Sequence, residues 1–175
     1  MLRVWFCLVL LVSATLSACS EEPATETSAA AASEAVTDAC ALLTAGEIEA
    51  ATGIAPGDPK DMSRPRLPMC NWPTADGSNS AFLTLMIGPS DNYTSYDDAI
   101  RKWEASAADM DFPFDAGDYR EVDGLGDVGA WMPDAGMLQA HSGSTMIQVM
   151  TEVAEGRDRL EAARALVQHV DARLP

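Results

Sequence analysis

Residues 137–151 read MLQAHSGSTMIQVMT, with apolar and polar side chains alternating on both sides of a glycine-containing turn. Such alternation is typical of half-buried strands, and the turn through residues 142–145 predicts an antiparallel hairpin. The predicted register aligns one face across the turn, pairing Met137 with Met150, Gln139 with Gln148, and His141 with Met146. We expect the opposite face to pack on the core, because it carries Leu138, Ala140, Ile147 and Val149.

Shorter β-prone segments precede this hairpin along the chain. Strands are predicted near 119–122 and 128–132, and two more begin at about Cys70 and Ala81. Several prolines in residues 55–69 argue against regular structure in that segment. Short sequential strands joined by tight turns predict one antiparallel sheet of about five to six strands.

Three segments change to a helical period. A short helix over 45–52 is predicted from a capping box between Thr44 and Glu47 and from a stop at Gly53. A second helix, over 94–107, has an apolar stripe and two predicted ion pairs, Asp97 with Arg101 and Asp98 with Lys102. The last helix has the clearest stripe, formed by Leu160, Ala163, Val167, Val170 and Leu174. The fold class is therefore α+β, one domain over 39–175 with two to three helices packed on the sheet.

Residues 1–18 have the features of a bacterial lipoprotein signal peptide. Arg3 precedes an apolar run over 4–12 that is too short for a retained membrane-spanning helix. The sequence Leu-Ser-Ala at 16–18, followed by Cys19, resembles a lipobox. Cys19 is therefore predicted to carry the lipid and to become the first residue of the mature protein. An ordinary secretion signal with a cysteine at this position by chance is the alternative.

The segment after Cys19 is predicted to be a tether. Residues 20–38 read SEEPATETSAAAASEAVTD and contain no leucine, isoleucine or aromatic residue. This composition cannot offset the entropy of ordering, so we expect a disordered tether over 19–38. The expected location is the bacterial cell envelope, with the domain facing the periplasm or the extracytoplasmic side of the cell membrane. Ser20 favours the outer membrane in a cell with two membranes.

The cysteine count predicts one disulfide bond. Removal of the signal peptide takes Cys7 and lipidation uses Cys19, which leaves Cys40 and Cys70 together in an oxidising compartment. A reactive thiol or a metal site is the alternative, although neither cysteine has a CxxC partner or a neighbouring histidine.

The first third of the domain resembles a family of uncharacterised envelope lipoproteins of actinobacteria. The pattern CxLLTxxE, a glycine and CxW is matched here by residues 40–47, Gly53 and residues 70–72. A Gly-Leu-Gly-Asp segment at 124–127 adds to the likeness. The resemblance implies a disulfide-linked, lipid-anchored domain, and it indicates no particular activity for the chain, because none is established for the family.

The charge of the chain excludes several classes of partner. Acidic residues number 27 against 11 basic residues, which gives a formal net charge of −16. Nucleic acid and anionic lipid head groups would be repelled by this charge. The expected membrane contact is the lipid at Cys19, and another envelope protein is a candidate partner.

The hairpin carries candidate metal ligands. The thioethers of Met137, Met146 and Met150 and the imidazole of His141 suit Cu(I). Met137 and His141 lie about 13 Å apart along one strand, so one ion cannot contact the whole set. We favour the alternative that these methionines fill gaps beneath a second layer of structure.

Residues 109–118 are acidic and contain Phe112 and Phe114. The aspartates of this segment are candidate Ca²⁺ ligands, but Pro113 breaks the EF-hand spacing and no glutamate closes the loop. The two phenylalanines are a candidate protein-interaction loop, but we favour the alternative that they fold back onto the core.

No catalytic constellation is predicted. The chain lacks a GxSxG motif, and the serines beside His141 are too close to it in sequence for a triad. His169 lies near the end of a predicted helix, where the dipole accounts for it. We expect neither an enzyme nor a cofactor. The expected function is a non-catalytic envelope binding or interaction module; the alternatives are a small-ligand or lipid carrier with an apolar cavity and, less favoured, a copper-handling protein.

Overall fold

The computed structural model describes residues 38–175. The predicted signal peptide, Cys19 and nearly all of the tether lie outside the described residues. The predicted globular domain over 39–175 lies entirely within them.

One antiparallel sheet of seven strands organises the described chain, together with three α-helices. This is the predicted α+β class, with slightly more strands than expected. The strands are β1 (Lys60–Asp61), β2 (Met69–Trp72), β3 (Leu83–Pro89), β4 (Arg120–Glu121), β5 (Val128–Met132), β6 (Met137–Ser142) and β7 (Thr145–Thr151). Their order in space is β1-β2-β3-β7-β6-β5-β4, and every neighbouring pair is antiparallel.

The hairpin of β6 and β7 confirms the predicted register. Met137 lies opposite Met150, and His141 lies opposite Met146. The turn is tighter than predicted, because Ser142 already pairs with Thr145. Gly143 has a φ of +52°, a conformation that two-residue hairpin turns require and that glycine adopts without strain.

Strand β1 shows that the prediction of no regular structure in residues 55–69 is wrong. Lys60 and Asp61 pair with Asn71 and Cys70 of β2. An edge strand makes backbone hydrogen bonds to one neighbouring strand only. Because neither Lys60 nor Asp61 is a proline, the prolines around them do not interrupt the hydrogen bonds between β1 and β2.

The helices are α1 (Ala45–Thr52), α2 (Tyr96–Asp109) and α3 (Arg159–Asp171). Helix α1 begins at the predicted capping box: the Thr44 amide donates to the Glu47 carboxylate at 2.9 Å, and the Glu47 amide donates to Thr44 Oγ1 at 3.3 Å. Helix α1 ends at Gly53, which has a φ of +73°.

The ion pairs of α2 differ in part from the prediction. Lys102 contacts Asp98 at 2.9 Å, as expected. Arg101 also contacts Asp98, at 2.6 Å, and so does not pair with Asp97 as predicted. Asp98 is buried near the start of the helix, whereas Asp97 is exposed. An ion pair stabilises an exposed carboxylate little, so the two cations gain more from contacting Asp98 than from contacting Asp97.

The main core lies between one face of the sheet and helices α1 and α3. The sheet supplies alternate residues of its strands, among them Cys70, Trp72, Leu83, Leu85, Leu138, Ile147 and Val149. The helices supply Ile48, Ala163, Leu166, Val167 and Val170. Helix α2 lies on the other face, where Ala99 and Tyr93 pack with Val128 of β5.

The start of the domain is fastened to its end and to its sheet. The predicted disulfide joins Cys40 to Cys70, whose Cα atoms are 5.1 Å apart. Arg173, after α3, donates to the Leu42 carbonyl at 2.8 Å and to the Glu47 carboxylate at 2.6 Å. Hydrogen bonds from Arg173 and from the Thr44 amide lower the pKa of Glu47 to about 2. The N-terminal turn, Ala39–Leu42, is therefore held by the disulfide bond and by the hydrogen bond from Arg173, whose ion pair with Glu47 also fastens α1.

We expect reduction of the disulfide to lower the free energy of unfolding by about 3 kcal/mol, since it releases a long closed loop in the unfolded chain. Urea unfolding with and without a reductant measures the change. The matched control is the double variant Cys40→Ala/Cys70→Ala, which should be less stable than the parent and indifferent to the reductant. A parent protein equally stable under both conditions would contradict this expectation.

Candidate functional site

The face of the sheet opposite α1 and α3 is only partly covered. Side chains of five adjacent strands form what we call the open face. Met150 is 38% exposed and the other members are partly buried, namely Met69, Asn71, Thr84, Met86, Met132, Met137, Gln139, Met146 and Gln148. Their neighbours along each strand point to the main core, because successive side chains alternate between faces. Six of the nine methionines in the chain lie on the open face.

The strand register arranges the open face in rows. One row runs Asn71, Thr84, Met150, Met137, Met132 across β2, β3, β7, β6 and β5. The next row contains Met69, Met86, Gln148 and Gln139. Amide and hydroxyl groups within the rows bond to each other, since Gln139 donates to Gln148 at 2.7 Å and Thr84 donates to Asn71 at 2.8 Å.

The distribution of charge sets this sheet apart from the rest of the chain. Strands β2, β3, β5, β6 and β7 contain no aspartate, glutamate, lysine or arginine. Both edge strands consist wholly of charged residues, Lys60 and Asp61 in β1, and Arg120 and Glu121 in β4. In a chain of net charge −16, the open face is thus a neutral surface.

Helix α2 covers the end of this face near β5 through an aromatic cluster. Trp103 donates to the Tyr93 hydroxyl at 2.8 Å, and the two rings meet edge to face. His141 packs against both rings, at centroid distances of 4.8 Å and 5.6 Å. Tyr119 extends the cluster from Trp103 toward β4. The cluster shields His141 and leaves the open face exposed beside it.

His141 is held in the neutral state. It is 3% exposed, its Nδ1 lies 3.0 Å from Ser90 Oγ, and its Nε2 is buried without a hydrogen-bond partner among the described residues. Burial lowers the pKa of His141 from its ordinary value of 6.5 to about 4, against a smaller opposing effect of Asp91. The imidazole is therefore uncharged at neutral pH and adds no charge to the sheet.

The structure confirms some of the predicted site residues and corrects others. Cys19 lies outside the described residues, and Cys40 and Cys70 form the predicted bond. Phe112 is 66% exposed, so the alternative that it folds back onto the core is wrong for this ring. Phe114 is half-buried and stacks on Tyr119 at 5.4 Å. Only one of the two phenylalanines is thus available as an exposed anchor.

His169 lies where the sequence predicted, in the last turn of α3. Its Nδ1 is 3.5 Å from Glu47, the carboxylate that Arg173 also binds. His169 therefore lies beside the ion pair of Glu47 with Arg173, which fastens α1 to α3.

One further residue of the open face, Met132, could have been predicted from the sequence. Met132 lies opposite Met137 because β5 and β6 form a hairpin around the turn at 133–136. The two strands were predicted without this pairing, so Met132 was missed although a four-residue gap between strands is a hairpin signal. Met69 and Met86 reach the face through pairing of β3 with β7, which no local pattern encodes.

Three depressions are lined by described residues. One of about 50 Å³ adjoins Leu125 and Val167, and one of about 90 Å³ adjoins Thr84 and Met150. A third, of about 430 Å³, is open to solvent and is lined by Ile54, Ala55, Thr74, Ala75, Asp76 and Ser78. None of these three is an enclosed apolar space of the kind that the carrier hypothesis requires.

Within residues 38–175, no three or more histidine, cysteine, aspartate or glutamate side chains are grouped to hold a metal ion. No helix in that same range is long and apolar enough to cross a membrane. Comparisons of the chain with protein-family models, curated proteins and solved structures found no match.

We expect His141 to make the domain acid-sensitive. The unfolded chain protonates this residue below pH 6.5, whereas the folded domain keeps it neutral down to about pH 4. Stability therefore falls as the pH decreases from 6.5 to 4, by roughly 1 to 3 kcal/mol, and this contribution is constant below pH 4. The variant His141→Gln should lack this part of the pH dependence.

Urea unfolding at intervals between pH 7 and pH 3 measures the effect. Glu47→Gln is the matched control: the lowered pKa of Glu47 stabilises the fold above pH 4.5, and this contribution is lost as the pH falls from 4.5 to about 2. Parallel pH profiles of the parent and His141→Gln would show that His141 does not titrate as its burial requires.

Proposed function

We propose that this protein is a lipid-anchored component of the bacterial cell envelope whose domain binds another envelope protein through the open face, without catalysing a reaction. The lipobox-like residues 16–19 and the apolar run before them support the anchor.

The observation that carries the proposed function is the neutral, methionine-rich open face. Monomeric proteins rarely leave a large contiguous apolar patch exposed unless it binds something. Methionine side chains adapt to the shape of a partner, and protein-binding surfaces use them for that reason. Half-exposed glutamine, asparagine and threonine amides and hydroxyls add hydrogen-bonding groups within the same surface.

The charge of the chain indicates the chemistry of the partner. An interface core depleted of charge matches an uncharged patch on the other protein. The surrounding surface belongs to a chain of net charge −16, so a partner with a basic rim would associate faster and with better complementarity. We therefore expect an envelope protein with a neutral patch bordered by lysine or arginine.

The surroundings of both histidines favour binding over catalysis. His141 is neutral, buried and bonded to Ser90 within the aromatic cluster. His169 contacts Glu47, which Arg173 already neutralises. Both side chains take part in the packing of helices onto the rest of the domain. This structural role explains their positions without a catalytic role.

A photocrosslinking amino acid at position 86, in the centre of the open face, should capture one envelope protein in the producing cells. The added variant Gln148→Lys should lower the yield at least tenfold, because position 148 lies opposite position 86 on the next strand and a lysine there desolvates poorly. The matched control is Ser106→Lys, at an exposed position of α2, which should leave the yield unchanged.

The same probe at position 112 tests the other candidate surface. Phe112 is exposed just after α2 and is not one of the residues of the open face, so we expect no specific product from it. Capture from position 112 and not from position 86 would place the partner on the phenylalanine loop and refute binding through the open face.

Anchoring is tested separately from partner binding. The mature protein should begin at Cys19 and carry acyl chains, and Cys19→Ser should abolish both processing at this site and membrane association. Intact-mass spectrometry of the purified protein measures the modification. An unmodified mature chain beginning after Cys19 would refute the anchor and leave the open-face proposal standing.

A further inference from the structure

We propose that Met132, Met137 and Met150 form a binding site for Cu(I). Met137 lies directly opposite Met132 on β5 and directly opposite Met150 on β7. The three residues therefore occupy one row on three adjacent strands, a group that we call the methionine row. This site does not depend on the protein partner proposed above.

The sheet geometry brings the three sulfur atoms within reach of one ion. Neighbouring strands are about 4.8 Å apart, so the outer two backbones of the row are separated by roughly 10 Å. A methionine side chain carries its sulfur on three rotatable bonds and adapts to irregular surroundings. The outer two side chains can thus lean toward the central Met137 and surround an ion from three sides.

The methionine row is open to solvent. Met150 is 38% exposed, and Met132 and Met137 are less exposed but reach the surface. Helix α2 packs at the other end of β5, where Ala99 and Tyr93 contact Val128. Gap filling beneath a second layer therefore does not account for the row within residues 38–175, and an ion can enter without unfolding the sheet.

The chemistry of thioethers selects the ion. A thioether is a soft, uncharged ligand that favours Cu(I), whereas Ca²⁺, Mg²⁺ and Zn²⁺ prefer oxygen, nitrogen or thiolate ligands. No proton competes for a thioether sulfur, so the affinity should stay constant in acid where imidazole and thiolate sites fail. The acidic chain also raises the local concentration of cations.

The methionine row differs from the ligand set predicted from the hairpin sequence, which included His141 and Met146. His141 lies about 13 Å from Met137 along β6, its Nδ1 is bonded to Ser90, and its ring is enclosed by Tyr93 and Trp103. Met146 pairs with His141 and lies at the same distant end. Met132, which the hairpin does not contain, supplies the third sulfur.

Methyl NMR identifies the ligands directly. The full chain, labelled at its methionine methyl groups, is treated with N-ethylmaleimide so that any free thiol is blocked while the Cys40–Cys70 bond stays intact. Ag(I), a redox-inert substitute for Cu(I), is then added. We expect one equivalent to shift the signals of Met132, Met137 and Met150 and to leave that of Met86 in place.

Competition with a chromophoric Cu(I) chelator measures the affinity of the N-ethylmaleimide-treated chain under anaerobic conditions, with ascorbate as the reductant so that the Cys40–Cys70 bond stays closed. Met137→Leu conserves volume and removes the central sulfur, so it should weaken Cu(I) binding at least 100-fold. Met86→Leu is the matched control on the same face and should bind as the parent does. Parent binding should also be equal at pH 7 and pH 5, and Zn²⁺ should not compete.

Three outcomes would overturn the proposal. Equal Cu(I) affinity in Met137→Leu and the parent excludes the methionine row. Signal changes centred on Met146, with those of Met132, Met137 and Met150 unchanged, would assign the ion to the end of the hairpin that carries His141. Absence of any shift with excess Ag(I) would show that the row binds no soft cation. None of these results bears on crosslinking from position 86, which tests the protein partner.

Discussion

The pairing of β3 with β7 joins the two halves of the molecule. Seven consecutive residue pairs, from Leu83 with Thr151 to Pro89 with Thr145, link a three-stranded unit to a four-stranded unit. The core depends on this ladder, because Leu85 and Ile87 reach Val149 and Ile147 across it before α3 can cover them. The open face depends on it equally, since Met86 meets Gln148 only in this register. A slip of one residue would exchange the two faces of β3 and expose its core side chains.

The elements encoded by local patterns were predictable, and those created by distant pairing were not. The capping box at Thr44, the stop at Gly53 and the register of Met137 with Met150 follow from neighbouring residues and agree with the structure. Adjacent pairing of β5 with β6 carries a weaker local signal, which is why Met132 was missed. The two-residue β1 owes its form to β2, because nothing within residues 55–69 favours a strand.

Electrostatics and packing divide the domain into regions with different roles. Acidic and basic residues are concentrated on helices, loops and the two edge strands, while the five inner strands contain none. One charged contact, Arg173 with Glu47, fastens α1 to the end of α3, and the aromatic cluster fixes α2 over His141. The surface that remains between these fixed parts is uncharged and lined by flexible thioethers. The exposure of Phe112 could not be predicted from the sequence. Phe114, two residues away, stacks on Tyr119, whereas Phe112 remains exposed.

The edge strands also determine how the sheet ends. Each is two residues long, and all four residues are charged, Lys60 and Asp61 on one side, Arg120 and Glu121 on the other. A strand from a second molecule would gain few backbone hydrogen bonds there and would have to desolvate charges to form them. The sheet is thus terminated at both ends, and crowding many copies onto a small area should not polymerise them into filaments. A neutral sheet face can then be displayed at high density without the aggregation that an open edge would favour.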